Sequence, residues 1–112
     1  MDRIITGATL TALLFVAGTA SAQSERLAEG RLAFEEHCSE CHENPATDAP
    51  TARDEGDWAD RSKLWEAVLF EHAQKGYLKM PAKGGAEDAS EYDVEAAAEY
   101  MLTVTHPEMP HD

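Results

Sequence analysis

The sequence predicts a small all-α domain behind a removable leader. Three observations carry this reading. Three stretches repeat apolar side chains at helical spacing, no stretch alternates convincingly as a strand, and 112 residues leave room for one domain at most.

The front of the chain has the three parts of a secretory signal. A charged start, Met1-Asp2-Arg3, precedes an apolar run from Ile4 to Ala17, then Gly18 and an Ala20-Ser21-Ala22 cleavage-type triplet. A spanning helix wants about 20 mainly apolar residues, whereas this run is shorter and diluted by Thr6, Gly7, Thr9 and Thr11. Residues 1–22 are therefore read as a signal peptide and 23–112 as the mature domain, with 107–112 a flexible tail. The folded part is expected in the periplasm, or anchored to the periplasmic face of the inner membrane if the leader is retained.

Within the mature part, the first helix is expected from about Ser24 to His37. Leu27, Gly30, Phe34 and Cys38 recur on one face, and Ser24 can cap the start. Residues 43–57 hold Pro45, Asp48, Pro50 and Gly56 and read as loop. A second helix runs from Arg61 or Ser62 to Lys75, with Leu64, Trp65, Val68, Leu69, His72 and Ala73 as its stripe and Gly76 as its stop. Another loop follows to Ala89. The third helix starts at Ser90, with Asp93 three residues on as a weak capping box. Its apolar face is Val94, Ala97, Ala98, Met101 and Leu102, and Pro107 ends it.

Ninety mature residues make a thin core, and domains of this size lean on a staple such as a metal or cofactor. A disulfide framework is excluded, because Cys38 and Cys41 are the only cysteines. Nine Lys and Arg stand against 22 Asp and Glu, a formal net charge of −13, and the leader carries one charge of each sign. Such a chain is repelled by phosphates, which argues against nucleic acid and against direct contact with an anionic membrane surface. Membrane contact is expected only through partners or an uncleaved leader.

The chemistry sits in Cys38-Ser39-Glu40-Cys41-His42, a C-x-x-C-H run of the kind that attaches haem c. Two intervening residues set the thiols a turn apart, where each can add to one of two neighbouring vinyl groups, and the next residue turns an imidazole toward the iron. A redox-active thiol pair would want a preceding strand and a βαβ context. A zinc site would need four ligands, and His72, His106 and His111 could join only at no matching spacing. The reading is one covalent haem c per chain, with His42 as an axial ligand.

Met80 is the candidate for the sixth iron position. It lies in a loop beside Pro81, where a side chain can be presented without belonging to a helix face, and a His/Met pair raises the potential and suits electron transfer. Met101 reads as core filler on the third helix, Met109-Pro110 repeats the dipeptide in the tail, and His72 is a competitor. The second nitrogen of His42 needs an acceptor to fix its tautomer, and a backbone carbonyl near Pro50 can supply it.

Gly30-x-x-x-Phe34-x-x-x-Cys38 leading into C-x-x-C-H resembles the class I c-type cytochromes, and more narrowly the cytochrome c5 branch. The narrower likeness rests on Ala49-Pro50, Asp54, Trp58, Arg61, Leu69, Ala73, the Gly76–Gly85 stretch and Tyr100-Met101, in register from Cys38 to Met101. It implies a monohaem fold whose N- and C-terminal helices cross over a covalently bound haem. The glycine would allow their close approach and Phe34 would pack on Tyr100. It also implies that Trp58 and Arg61 sit near the haem propionates. An arginine fork suits a carboxylate, and a Trp N–H can add one bond.

The chain departs from that pattern in two places. Ala86 and Ala89 stand where that branch often carries a second cysteine pair, so a mobile Met80 loop is expected. Pro45, Asp48 and Arg53 stand where glycines are expected, which leaves the path of the first loop open.

The function implied is a diffusible one-electron carrier without substrate turnover, with redox protein partners: a donor dehydrogenase or reductase and an acceptor oxidase or reductase. A relay subunit or docking module of a larger redox complex is the alternative, and a haem ligand sensor a further one. Acids crowd the first and third helices. All four lysines, Lys63, Lys75, Lys79 and Lys83, fall between Arg61 and Gly84, which allows either a basic or an acidic partner face.

Overall fold

The computed structural model describes residues 13–61 and 66–108. The charged start and most of the leader's apolar run, the stretch Ser62 to Trp65, and Met109-Pro110 with the end of the tail lie outside the described residues. Among the described residues five α-helices follow one another: α1 (Leu13–His37), α2 (Ser39–His42), α3 (Glu55–Trp58), α4 (Glu66–Lys75) and α5 (Glu91–Thr105). A tight turn at Ala82–Gly85 precedes α5, and no named strand occurs among the described residues.

Helix α1 begins upstream of the expected start. Ser24 lies inside it and caps nothing, because the preceding Ala20, Ala22 and Gln23 are good helix formers and no proline intervenes. Helix α5 starts where its cap predicts: the Ser90 hydroxyl accepts the Asp93 N–H at 3.0 Å. Helix α3 begins within the stretch read as loop and ends one residue beyond it. Its cap is Asp54, whose side chain accepts the N–H of Asp57.

The core forms where α1 and α5 cross. Phe34 is fully buried, and its ring meets that of Tyr100 at 5.4 Å between centroids, tilted by 50°. Ala33, Ala97, Met101, Leu102, Ala52 and Trp58 complete the cluster, with Leu69, Phe70 and Val104 at its margin. Gly30 is the contact point. A Cβ there would fall 2.3 Å from the carbonyl oxygen of Ala96 and 3.0 Å from the Cβ of Tyr100, so only glycine lets the two backbones touch.

A polar latch secures the same crossing. Arg26 reaches Glu99 at 2.7 Å and lies 4.6 Å over the ring of Tyr92, whose hydroxyl bonds the Glu29 carboxylate. Helix α4 packs on α5 and on the turn before it, which sets the Met80 loop beside the core.

Candidate functional site

The C-x-x-C-H run sits at the joint between α1 and α2. The N–H of Cys38 still bonds Phe34 of α1 at 2.8 Å, while the N–H of His42 bonds the Cys38 carbonyl at 3.0 Å. That single turn leaves Cys41 exposed and Cys38 partly buried, the thiols unbonded to each other, and His42 buried. Burial, aided by the charge of Cys41, pushes the Cys38 thiol up to about 11. This is opposite to the depressed value that a redox-active thiol pair needs. Among the described residues no group of three or more His, Cys, Asp or Glu is arranged to hold a metal ion.

His42 is held from two sides. Its Nδ1 lies 2.8 Å from the Pro50 carbonyl, and its own carbonyl accepts the N–H of Ala52 at 2.7 Å. A carbonyl can only accept, so Nδ1 carries the hydrogen and Nε2 keeps its lone pair for a ligand bond. Burial lowers the imidazole's pKa from its ordinary value and the Pro50 bond pushes the other way, so burial prevails. The ring of Trp58 stacks beside it, 6.1 Å between centroids.

The first loop is built to hold Pro50 in place. The Thr47 hydroxyl donates to the carbonyls of Cys41 and Asn44, and the Asp57 carboxylate accepts the N–H of Thr51 at 3.0 Å. The Trp58 indole N–H donates to the Thr51 carbonyl at 3.0 Å. An indole has one N–H, and here it ties the loop. Arg61 donates through Nη1 to the Asp57 carbonyl at 2.6 Å and leaves the rest of its fork exposed.

Arg53, where a glycine is expected, adopts a positive φ of 71°. Three partners hold it there. Its N–H donates to the hydroxyl of Thr105 at 2.9 Å, its Nη2 donates to the Tyr100 hydroxyl at 2.9 Å, and Nη1 lies 3.7 Å from Glu43.

Met80 closes a turn with Tyr77, each N–H bonding the other's carbonyl at 2.9 Å. Gly76, at φ +89°, opens this loop, and a Cβ there would press the Met80 carbonyl at 2.9 Å. A Cβ on Gly84 would lie 4.0 Å from Met80 Cε and 3.5 Å from the His37 carbonyl, so the Met80 loop turns back against the end of α1. Lys79 meets Asp48 at 2.7 Å and joins this loop to the one bearing Pro50. The structure thus groups His42, Pro50 and Trp58 on one side and connects them to the Met80 loop through that ion pair. His72, the competing ligand, stacks face to face on Tyr77.

Sequence reasoning missed Thr51, Asp57 and the Arg53 strap. The signal for the first two was the Asp54-Glu55-Gly56-Asp57 run, a helix start with its own cap.

These parts fit a haem c. Two thiols flank one helical turn, a buried imidazole turns its basic nitrogen away from its anchor, and a methionine loop folds back to the same helix end. The arrangement defines the class of small all-α cytochromes with the class I cytochrome c fold. The chain belongs to the cytochrome c family, its residues 25–101 matching the family model described as cytochrome C oxidase, cbb3-type, subunit III.

Among curated proteins it is 32% identical over 106 residues to cytochrome c-555 of Chlorobaculum tepidum, covering 91% of this chain and 96% of that one. To cytochrome c-555 of Chlorobaculum thiosulfatiphilum it is 30% identical over 79 residues, 67% of this chain and 92% of that one. Among solved structures it is similar to a chain from the crystal structure of an electron transfer complex of nitrite reductase with cytochrome c. That match has a TM-score of 0.63 and 28% identity, covering 69% of this chain and 94% of the other. The chain is a haem c electron carrier. No described helix is long and apolar enough to cross a membrane.

Proposed function

We propose that the chain is a periplasmic one-electron carrier without substrate turnover, its haem c attached through Cys38 and Cys41 and its iron held by His42 and Met80. The observation that carries this reading is the 2.8 Å contact from His42 Nδ1 to the Pro50 carbonyl, which leaves the lone pair of the opposite nitrogen available for ligation. When bound, the haem supplies a single reversible electron at iron. Everything else falls to the chain's own side chains. Pro50 fixes the tautomer and direction of the imidazole, and the Trp58 ring excludes water from its face. The Tyr77–Met80 turn presents a thioether from a loop tied to the first by Lys79 and Asp48. The exposed part of the Arg61 fork is suited to the haem carboxylates. With His42 and Met80 as its protein ligands, the haem would supply electron transfer and leave no place for a small ligand.

Export follows from the leader's composition, and residues 1–22 are proposed as the part removed. A pyridine haemochrome spectrum with a mass measurement on exported protein tests all of this together. The expected result is one haem, two thioether bonds and a start at Gln23. Colourless protein with free thiols overturns it.

A second reading, an electron-relay subunit of a larger complex, is favoured by the matching family model, which describes an oxidase subunit. The free carrier is favoured by the c-555 relative, which is matched over nearly its whole length. Size exclusion of a native extract separates them: haem absorbance at the size of one chain supports the carrier, and co-elution with a large complex supports the subunit.

A further inference from the structure

The tip of the Met80 loop departs from what local physics favours. Leu78 is 84% exposed and Tyr77 beside it is 50% exposed. Leu78 also holds φ at +54°, a left-handed conformation that glycine or asparagine adopts at less cost. Neither burial nor backbone preference accounts for a leucine there. The tip is also braced, by the paired hydrogen bonds between Tyr77 and Met80 and by the stack of Tyr77 on His72, centroids 3.8 Å apart. An apolar pair held outward, two residues from the thioether, has the character of a contact anchor.

The charges around it say what it contacts. Lys79 is paired with Asp48 at 2.7 Å and Lys75 with Glu71 at 2.9 Å, while Lys83 donates to the Ala89 carbonyl. The described lysines near the tip are therefore committed within the chain, and the chain's net charge of −13 sets the long-range field.

We propose that Tyr77 and Leu78 form the contact point for a redox partner whose own contact face is apolar and set among basic side chains. This rests on the haem c reading, since the contact matters for electron transfer only if Met80 faces the iron. The negative field draws such a partner in, and the apolar tip fixes the orientation once charges have met.

Two cationic probes of contrasting surface test it on the haem-loaded protein: tris(phenanthroline)cobalt(III), which is apolar, and hexaammineruthenium(II), which is polar. In the first reaction ferrous haem loses one electron and cobalt(III) gains it; in the second, ruthenium(II) gives one electron to ferric haem. Leu78→Ser is expected to slow the cobalt reaction by about fivefold, a fraction of the benefit of burying one leucine, and to leave the ruthenium reaction unchanged. Leu78→Gly is expected to do the same while its thermal midpoint stays level or rises, because the left-handed backbone is relieved.

A readout that needs no turnover is NMR line broadening by redox-inert tris(phenanthroline)chromium(III). It should fall on the Tyr77, Leu78 and Lys79 amides and vanish in Leu78→Ser. Equal effects on both probes, no effect on either, or broadening centred on α1 and α5 overturns the proposal. Loss of the haemochrome spectrum itself would instead overturn the reading beneath it, so the two failures are told apart.

Discussion

The rings of His72 and Tyr77 lie face to face, 3.8 Å between centroids and within 5° of parallel. One belongs to α4 and the other opens the Met80 turn, so the stack clamps the loop to a helix. Ala86 and Ala89 occupy positions that offer no sulfur staple, and this stack, with the Lys83 bond to the Ala89 carbonyl, is what secures the loop instead.

Removing the clamp should loosen the methionine. In His72→Ala, hydrogen exchange at the Met80 amide is expected to quicken by up to about tenfold, the equivalent of one lost aromatic pair. The reduced protein should also begin to bind carbon monoxide. His72→Phe keeps a flat ring and should restore both properties.

The helix crossing should be intolerant of one methyl group. Gly30→Ala presses a Cβ to within 2.3 Å of a backbone carbonyl, which cannot rotate away. The helices must separate, at a cost of about 1–3 kcal/mol typical of overpacking, only partly offset by alanine's better helix propensity. Urea denaturation of the haem-loaded protein measures the loss.

Thr105 holds the first loop through one hydroxyl. Thr105→Val removes the buried hydroxyl that accepts the Arg53 N–H at 2.9 Å, and a loss of about 0.5–1.5 kcal/mol is expected by thermal or urea unfolding. Thr105→Ser should recover most of it.

The bridge between the two loops predicts a pH signature. The Lys79 side chain, by hydrogen bond and then by charge, holds the Asp48 carboxyl below its ordinary value. A carboxylate depressed in the folded state stabilises it at neutral pH, and that contribution fades as the pH falls through the folded value. Carboxyl NMR should show Asp48 titrating below a free aspartate in the parent and moving up in Lys79→Gln.

The haem is expected to be structural as well as functional. Cys38→Ala with Cys41→Ala, exported and purified without haem, should lose most of its far-ultraviolet helix signal, since a domain this small has a thin core that a bound haem would complete. Native helix content in that variant would contradict this.

The closing helix was legible in outline and in detail: Ser90 as cap, the Val94–Leu102 face and the stop before Pro107 all appear where the spacing puts them. The Phe34–Tyr100 contact and the glycine at the crossing followed from the family resemblance and meet as expected. Local signals failed where competing influences were strong. Helix α1 passes through Ser24 because a cap residue stops nothing when good helix formers precede it. Helix α3 was hidden by the Pro and Gly around it, although Asp54 marked its start. The Arg53 strap was beyond reach, since its hydrogen-bond partners Thr105 and Tyr100 lie in α5, far along the chain, and nothing local signals a hydroxyl at Thr105.

That strap bears on the order in which the molecule can be made. Thr105, in the last turn of α5, grips Arg53, and Ala52 beside it grips His42. Two links therefore separate the end of the closing helix from the imidazole. A chain emerging N-terminus first presents its cysteine pair early, but the loop beside the histidine gains its ties to Thr105 and Tyr100 only once α5 has been made.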